Sequence, residues 1–296
     1  MSDNDNQDII VRGMAMDGKV RVFAALSTTI VEELRARHDT WPTATAALGR
    51  TVTAGVMMGS MLKGEEKLTI QIRGDGPLGQ IVVDANAAGE VRGYVTEPHI
   101  DLPLNEKGKL DVAGAVGRDG LLYVTKDLGM KEPYRGTSPI VSGELAEDFT
   151  YYFSTSEQTP SAVALGVLVN PDYSVRAAGG FILQLLPGLS DSEITIIEQK
   201  LAALIPVTTL IEQGAGPEDI LHQLFDSVHI YERSPILFRC TCSQDRVEKT
   251  LISLGKDEID ALIDELGRAE VICHFCNEKY ILEKAELEQL RAKHFH

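Results

Sequence analysis

Two short stretches near the C-terminus hold every cysteine of this 296-residue chain. Residues 238–250 read FRCTCSQDRVEKT, and residues 271–282 read VICHFCNEKYIL. Together they form a C-x-C pair followed by a C-x-x-C pair, at Cys240, Cys242, Cys273 and Cys276. Because thirty residues separate the two pairs, anything that binds all four sulfurs would fix the fold of this part of the chain.

The residue types and their spacing are typical of a metal site. Tetrahedral Zn²⁺ accepts four sulfur ligands at about 2.3 Å. A C-x-x-C turn directs two sulfurs to one point, and the cysteines of a C-x-C pair in an extended strand share one face. The alternative is that the cysteines are merely buried as small apolar residues, which their arrangement in two close pairs disfavours. His274, between Cys273 and Cys276, is not expected to be a ligand. We therefore predict one Zn²⁺ per chain, bound by Cys240, Cys242, Cys273 and Cys276.

The same thiols could also be oxidised. Four cysteines allow three disulfide connectivities, and joining the neighbours within each pair needs the least rearrangement. Zinc joins distant segments and contributes on the order of 10–16 kcal/mol to the folding of small peptides, whereas disulfides across tiny loops constrain the unfolded chain much less. A domain of about 65 residues has little core of its own, so exchanging zinc for local disulfides should unfold it. Three basic residues lie near the cysteines in the sequence, namely Arg239, Arg246 and Lys279. Their positive charge either stabilises thiolates or is ordinary surface charge.

The charge of the chain limits its partners. The formal net charge is 28 − 44 = −16, which repels nucleic acid and anionic membranes and favours solubility. The first residues, MSDNDNQD, lack the basic start and apolar core of a secretory signal. The longest apolar run is far shorter than the ~18 residues of a membrane span. We expect a cytoplasmic protein with neither nucleic acid nor membrane as a partner.

The first 180 residues combine strand and helix signals. Two strand-like runs flank a D-G dipeptide at residues 17–18, which predicts a β-hairpin. Thr29 with Glu32 fits a capping box, and the small residues of 43–62 predict a buried helix. Further strand signals are joined by short turns, which favours antiparallel pairing. We predict an α+β fold, with an N-terminal mixed α/β domain built on antiparallel sheet over residues 1–180.

The pattern changes to short amphipathic helices over residues 181–230. Ser190 with Glu193 fits a capping box, and Pro217 suits the first turn of a helix. Helices this short are not stable alone, so their apolar faces must pack on a neighbouring surface. We predict a helical linker over 181–230 and a small zinc-binding domain over 231–296. A plain helical connection between two domains is the simpler alternative for the linker.

At these residues the chain resembles the heat shock protein 33 family, the redox-regulated 33 kDa chaperonins. The resemblance covers the whole chain, and its most specific parts are the two cysteine stretches with their spacing. Four stretches carry it, namely RGDGPLG at 73–79, AAGGFILQLLPG at 177–188, FRCTCSQDRVE at 238–248 and CHFCNEKY at 273–280.

The resemblance implies a cytoplasmic, ATP-independent holdase that binds unfolding or oxidatively damaged proteins and prevents their aggregation under oxidative and heat stress. It implies that the reduced protein binds Zn²⁺ through all four cysteines and is inactive. Oxidation by peroxide or hypochlorite under unfolding conditions would release zinc and form the disulfides Cys240–Cys242 and Cys273–Cys276. The zinc domain and linker would then unfold, and the protein would form a homodimer and capture clients.

Two other functions remain open at this point. A thiol–disulfide oxidoreductase would use Cys273 and Cys276, although such a pair usually lies beside a βαβ pattern, which the sequence lacks. A zinc-stabilised scaffold would need no redox chemistry. The sequence has no G-x-x-x-x-G-K-[ST] motif for binding ATP. The RGDGPLG stretch fits a tight turn better than a phosphate site. No Ser-His-Asp triad can be assembled from the spacing of these residues. We therefore expect a binding protein rather than an enzyme.

Overall fold

The computed structural model describes residues 7–100 and 102–295. The chain divides into two compact units, Met1–Arg239 and Cys240–His296. Both units combine helices with antiparallel strands, so the predicted α+β fold is confirmed. The first six residues, part of the stretch that argued against a secretory signal, lie outside the described residues. Among the described helices, none is both long enough and apolar enough to cross a bilayer.

A five-stranded antiparallel sheet forms one layer of the first unit. Its strand order is β10-β1-β2-β9-β8. The strand pair β1–β2 is the hairpin predicted at residues 17–18, where Asp17 and Gly18 have positive φ. The strands are β1 (Ile9–Ala15), β2 (Val20–Leu26), β8 (Ser161–Val169), β9 (Val175–Leu185) and β10 (Val228–Pro235).

A six-stranded sheet in the order β11-β5-β4-β3-β6-β7 forms the other layer. All neighbours are antiparallel except β11 and β5, which run parallel. The strands are β3 (Lys67–Gly74), β4 (Gln80–Asn86), β5 (Glu90–Val95), β6 (Gly120–Asp127), β7 (Tyr134–Pro139) and β11 (Leu237–Phe238).

The RGDGPLG stretch is the tight turn between β3 and β4. The N–H groups of Gly76 and Leu78 donate to the carbonyl oxygens of Val116 and Ala115, at 3.0 Å each. A side chain at Gly76 would overlap the backbone of residues 115–117, which explains the glycine. Because both N–H groups already have acceptors, the turn has no phosphate cradle there.

The main core lies around one long helix. The helices of this part are α1 (Thr28–His38), α2 (Pro42–Gly59), α3 (Val112–Val116) and α4 (Ala146–Thr155). Helix α2 contacts strands of both sheets and is buried along almost its whole length, as its small residues predict. Close packing of helix on sheet requires such small side chains, and this helix therefore joins the two sheets into one unit.

The capping box predicted at Thr29 and Glu32 is wrong. Helix α1 begins at Thr28, and the carboxylate of Asp8 accepts hydrogen bonds from the N–H groups of Thr29 and Ile30, at 3.1 and 2.5 Å. Glu32 instead binds Arg35. The carboxylate of Asp8, just before strand β1, satisfies the first turn of the helix, so the local cap that the sequence suggested is not used.

The predicted linker contains three helices, α5 (Asp191–Ala203), α6 (Val207–Glu212) and α7 (Pro217–His222). The capping box is confirmed, because Ser190 N–H donates to the Glu193 carboxylate at 2.7 Å and Ser190 Oγ accepts from Glu193 N–H at 3.3 Å. Pro217 occupies the first turn of α7, as predicted.

The apolar faces of these three helices pack on the five-stranded sheet, as expected for helices too short to be stable alone. Each helix also forms an ion pair with the same unit: Glu193 with Lys19, Glu212 with Arg176, and Glu218 with Arg233. Buried residues of the shared core are Val11, Ala15, Val20, Val22, Ala24, Phe181, Leu183, Ile197, Val207, Leu210, Ile220, Leu221, Leu224 and Phe225.

The domain boundaries predicted at residues 180 and 230 stay predictions. Strand β9 continues to Leu185, and strand β10 pairs with β1. The first five residues of the predicted linker and the first five of the predicted zinc domain therefore belong to strands of the five-stranded sheet.

The second unit is small. It contains α8 (Gln244–Leu254), α9 (Lys256–Ala261), a π-helical turn (Leu262–Leu266), β12 (Arg268–Ile272), β13 (Lys279–Glu283) and α10 (Lys284–His294). Gly267 ends the helical segment with a φ of 67°. Its core consists of Val247, Leu251, Ile259, Ile263, Ala269, Leu282, Leu287 and Leu290.

We predict that Ile220→Ala destabilises the first unit by about 2–5 kcal/mol, because it leaves a cavity in the core under the linker helices. Ile220 is 0% exposed, whereas Ile196 of α5 is 50% exposed, so Ile196→Ala is the matched control and should change the free energy of unfolding much less. Chemical denaturation of the full chain measures both. Equal losses would contradict the packing of α7 on the sheet.

Candidate metal centre

The two cysteine pairs lie on different local structures of the second unit. Cys240 and Cys242 lie in the extended segment that leads into helix α8. Ser243 caps that helix, accepting a hydrogen bond at its Oγ from the Arg246 N–H. Because a helix cap fixes the direction in which the chain enters the helix, the capped start of α8 orients the segment that carries the first pair.

The second pair lies in the turn of the β12–β13 hairpin. The N–H of Asn277 donates to the carbonyl of Cys273 at 2.8 Å, and the N–H of Cys273 donates to the carbonyl of Glu278 at 2.9 Å. Asn277 has a φ of 56°, a conformation that asparagine tolerates better than most residues. The turn therefore holds Cys273 and Cys276 on one side of the hairpin end.

All four predicted sulfurs come together. Their Sγ atoms lie within 4.8 Å of one another, with 3.7 Å between Cys240 and Cys273 and 3.3 Å between Cys242 and Cys276. A tetrahedral ion with bonds of about 2.3 Å would place its sulfurs about 3.8 Å apart. The four cysteines could therefore hold one metal ion after changes of up to about 1 Å in the distances between their sulfurs.

The electrostatics of the cluster favour a bound cation. Cys276 is buried and the other three cysteines are half-buried. Burial raises the pKa of the Cys273 thiol, and burial together with the neighbouring sulfurs raises the pKa of the Cys276 thiol further. Several thiolates cannot coexist so close together without a positive charge between them. A soft divalent cation supplies that charge, and thiolates are its preferred ligands.

One contact of the centre was not predicted from the sequence. The Tyr280 hydroxyl donates a hydrogen bond to Cys242 Sγ at 3.1 Å. This hydrogen bond, followed by burial, raises the pKa of Tyr280, so the phenol keeps its proton and stays a donor. Tyr280 lies on strand β13, four residues after Cys276. This short spacing between a tyrosine and a cysteine was the sequence signal that could have predicted the hydrogen bond.

The basic residues near the cysteines are paired elsewhere. Arg246 donates to Thr241 Oγ1 at 2.7 Å, and Lys279 pairs with Glu270 at 2.8 Å. Arg239 lies 3.9 Å from Glu90. These contacts fit ordinary surface charge better than a role in stabilising thiolates.

His274 is exposed and does not belong to the group of metal-ligating atoms. Within residues 7–100 and 102–295, the four cysteines are the one group of three or more His, Cys, Asp or Glu side chains whose donor atoms could share an ion. Any metal site built from these residue types in the described part of the chain is therefore this one.

Comparison with known proteins gives the family. The family model described as Hsp33 protein matches residues 8–283. The chain belongs to the Hsp33 family. Proteins named 33 kDa chaperonin are 57% identical in Geobacillus kaustophilus, covering 96% of this chain and 97% of that protein, and 55% identical in Bacillus velezensis, covering 96% and 98%.

A solved Hsp33 structure has the same fold. The crystal structure of the 33 kDa chaperonin, or heat shock protein 33 homolog, from Thermotoga maritima matches with a TM-score of 0.91 and 38% identity, covering 97% of this chain and 99% of that one. The family resemblance found in the sequence is thus confirmed, and Hsp33 proteins are chaperones by name.

We predict that Tyr280→Phe lowers the affinity of the reduced chain for added Zn²⁺ by about tenfold, because groups that hydrogen-bond to metal ligands typically contribute 10–100-fold. Competition with a chromophoric chelator measures the affinity. Tyr173→Phe is the control, since Tyr173 is exposed and lies in the first unit. An unchanged affinity in the Tyr280 variant would contradict a role for its hydroxyl at the centre.

Proposed function

We propose that this chain is a redox-regulated, ATP-independent chaperone that binds unfolding proteins and prevents their aggregation. The reduced protein holds one Zn²⁺ and is inactive, and the oxidised protein is active. The observation that carries the proposal is the clustering of four sulfurs from two distant segments, within 4.8 Å, in a unit with few buried residues.

In the reduced state Cys240, Cys242, Cys273 and Cys276 hold the Zn²⁺. The ion neutralises the thiolates and joins the segment before α8 to the β12–β13 hairpin. A structural zinc contributes on the order of 10–16 kcal/mol to folding in small peptides, which exceeds the net stability of most domains. The fold of the second unit therefore depends on the ion.

Oxidation removes these ligands. In each pair, two thiols lose two electrons and form one S–S bond, while one hydrogen peroxide accepts the two electrons, its O–O bond breaks and two water molecules form. We propose the pairing Cys240–Cys242 and Cys273–Cys276. Disulfides within each pair leave the two segments unconnected, whereas disulfides between the pairs would keep them joined. Only the local pairing therefore makes oxidation unfold the unit.

The second step of activation is the release of the linker helices from the five-stranded sheet. Helices α5, α6 and α7 cover an apolar face of the five-stranded sheet, and mild heat together with the loss of the second unit would release them. Release exposes apolar surface on the sheet and on the helices, which is where an unfolding client would bind. We further propose that the active form is a homodimer.

We place the protein in the cytoplasm, without nucleic acid or membrane as a partner. The net charge of −16 supports this placement, because it repels polyanions and keeps an activated protein with exposed apolar surface in solution. In that compartment thiols stay reduced until an oxidant arrives, as a redox switch requires.

We predict that peroxide with mild heat releases zinc from the reduced, zinc-loaded chain and turns on suppression of aggregation. A chromophoric chelator follows the zinc, light scattering follows an unfolding client, and a reductant should reverse both effects. The His274→Ala variant is the control and should behave like the parent chain, because His274 is not a predicted ligand.

Other outcomes would overturn the proposal. Zinc loss without suppression of aggregation would reject the chaperone switch, and retention of zinc throughout would indicate a scaffold. Catalytic turnover of a dithiol substrate would indicate an oxidoreductase that uses Cys273 and Cys276. Peptide mapping that finds disulfides between the pairs would reject the local pairing.

A further inference from the structure

Strand β8 is an edge strand that lacks the usual protection against pairing with other chains. It reads SAVALGVLV and contains neither a charged residue nor a proline, and its register shifts only at its C-terminal end. Sheet edges are normally blunted by charges, prolines or shortness. The other described edges of the two larger sheets follow that rule: β11 has two residues, β10 carries Glu232, Arg233 and Pro235, and β7 carries Arg135 and Pro139.

The backbone of β8 presents open hydrogen-bonding groups. The N–H of Val163 donates to Thr150 Oγ1 at 3.2 Å, so it points away from β9. Because this direction alternates along an antiparallel strand, the N–H and C=O groups of Leu165 and Val167 point the same way. Outside the β8–β9 ladder, the described part of the chain offers no backbone hydrogen bond to these groups of Leu165 and Val167.

A cavity of about 710 Å³ runs along this edge, inside the first unit. One side is formed by Ala146 and Thr150 of helix α4 and the other by residues 204–208, next to the start of α6. Leu104 and Leu110 line it as well, so its walls are mostly apolar. It leaves room beside β8 for one extended chain, whose alternate side chains would meet the two walls.

Two basic side chains line the cavity. They are Arg50 and Lys109. One Arg50 Nη donates to the Glu144 carboxylate at 2.9 Å, while its Nε is buried without an acceptor among the described residues. Lys109 is exposed. An incoming segment with a carboxylate at this point would pair with the exposed charge of Lys109.

We propose that the free edge of β8 is a strand-addition site for an extended segment of an unfolding client, one that alternates apolar residues and carries an acidic side chain. This inference rests on the proposed chaperone function. Strand addition supplies main-chain hydrogen bonds whatever the sequence of the segment, which suits a protein that binds many clients. A second copy of β8 fits less well, because residues 161–169 contain no carboxylate to meet Lys109.

The cavity exists with the linker helices folded, since the first residues of α6 form part of one wall. It shares Phe181 and Val207 with the core under the linker helices. The edge residues Leu165 and Val167 pack instead with the main core of the first unit. The reduced, zinc-loaded protein should bind a single short extended segment at β8 without suppressing the aggregation of a client. Oxidation should add the larger apolar surface that the proposed chaperone activity requires.

The test uses the full chain, reduced and loaded with Zn²⁺, and a fluorescein-labelled peptide of sequence TVDVTVT. Fluorescence anisotropy should show binding, and the counterpart TVKVTVT should bind about fivefold more weakly, as expected for the loss of one ion pair at a partly exposed site. Amide hydrogen exchange should show that the peptide protects Leu165 and Val167. A TVDVTVT peptide that is N-methylated along the edge facing β8 cannot donate main-chain hydrogen bonds to that strand. It should lose its binding, which tests the backbone bonds without altering the protein.

Lys109→Glu should weaken the binding of TVDVTVT by about fivefold and strengthen that of TVKVTVT. The control is Lys107→Glu, in the same loop but outside the cavity, which should change neither affinity. Protection of β8 without peptide that depends on protein concentration would instead assign the edge to a second copy. Binding without protection of β8 would also overturn the inference. Either result would leave the redox switch intact, because the switch is measured separately by peroxide activation.

Discussion

The convergence of four sulfurs within 4.8 Å is the constraint on which, in the proposed function, the fold of residues 240–295 depends. Among the described residues, the core of this unit has eight buried apolar side chains, and none of them is aromatic. The main core of the first unit contains Phe23, Phe149, Tyr152 and Phe153 among many others. A unit with so little buried area needs a cross-link to be stable. A metal ion held by the cysteine cluster would provide one between segments about thirty residues apart. In the proposed function, an oxidant would remove the ligands of that cross-link.

The first unit is arranged so that losing its linker helices would have a large effect. The linker helices, together with Leu224 and Phe225 just after α7, contribute half of a core whose other half is the face of the five-stranded sheet. Each helix alone is short, and its ion pair with the rest of the unit is at least partly exposed, where such pairs stabilise weakly. The helices therefore depend on apolar packing, and the same apolar surface becomes available to other proteins when they leave.

The sequence was informative where the structural signal is local. The spacing of the cysteines identified all four members of the cluster, and Ser190 with Glu193 identified the start of α5, because each pattern lies within a few residues. The cap of α1 could not be predicted in this way, since Asp8 lies 21 residues before Thr29. The hydroxyl group that donates a hydrogen bond to Cys242 belongs to Tyr280, 38 residues away. The parallel pairing of β11 with β5 and the unprotected edge of β8 also depend on tertiary contacts that periodicity does not encode.

Removal of the metal from the reduced chain shows whether the second unit needs the ion to stay folded. Amide hydrogen exchange is measured on the zinc-loaded protein before and after treatment with a chelator under reducing conditions, so that no disulfide forms. The account predicts that amides of residues 240–295 lose their protection while the core of the first unit, including α2 and the five-stranded sheet, retains it. Unchanged protection of the second unit without the ion would contradict the account, because the fold of that unit would then not depend on the sulfur cluster.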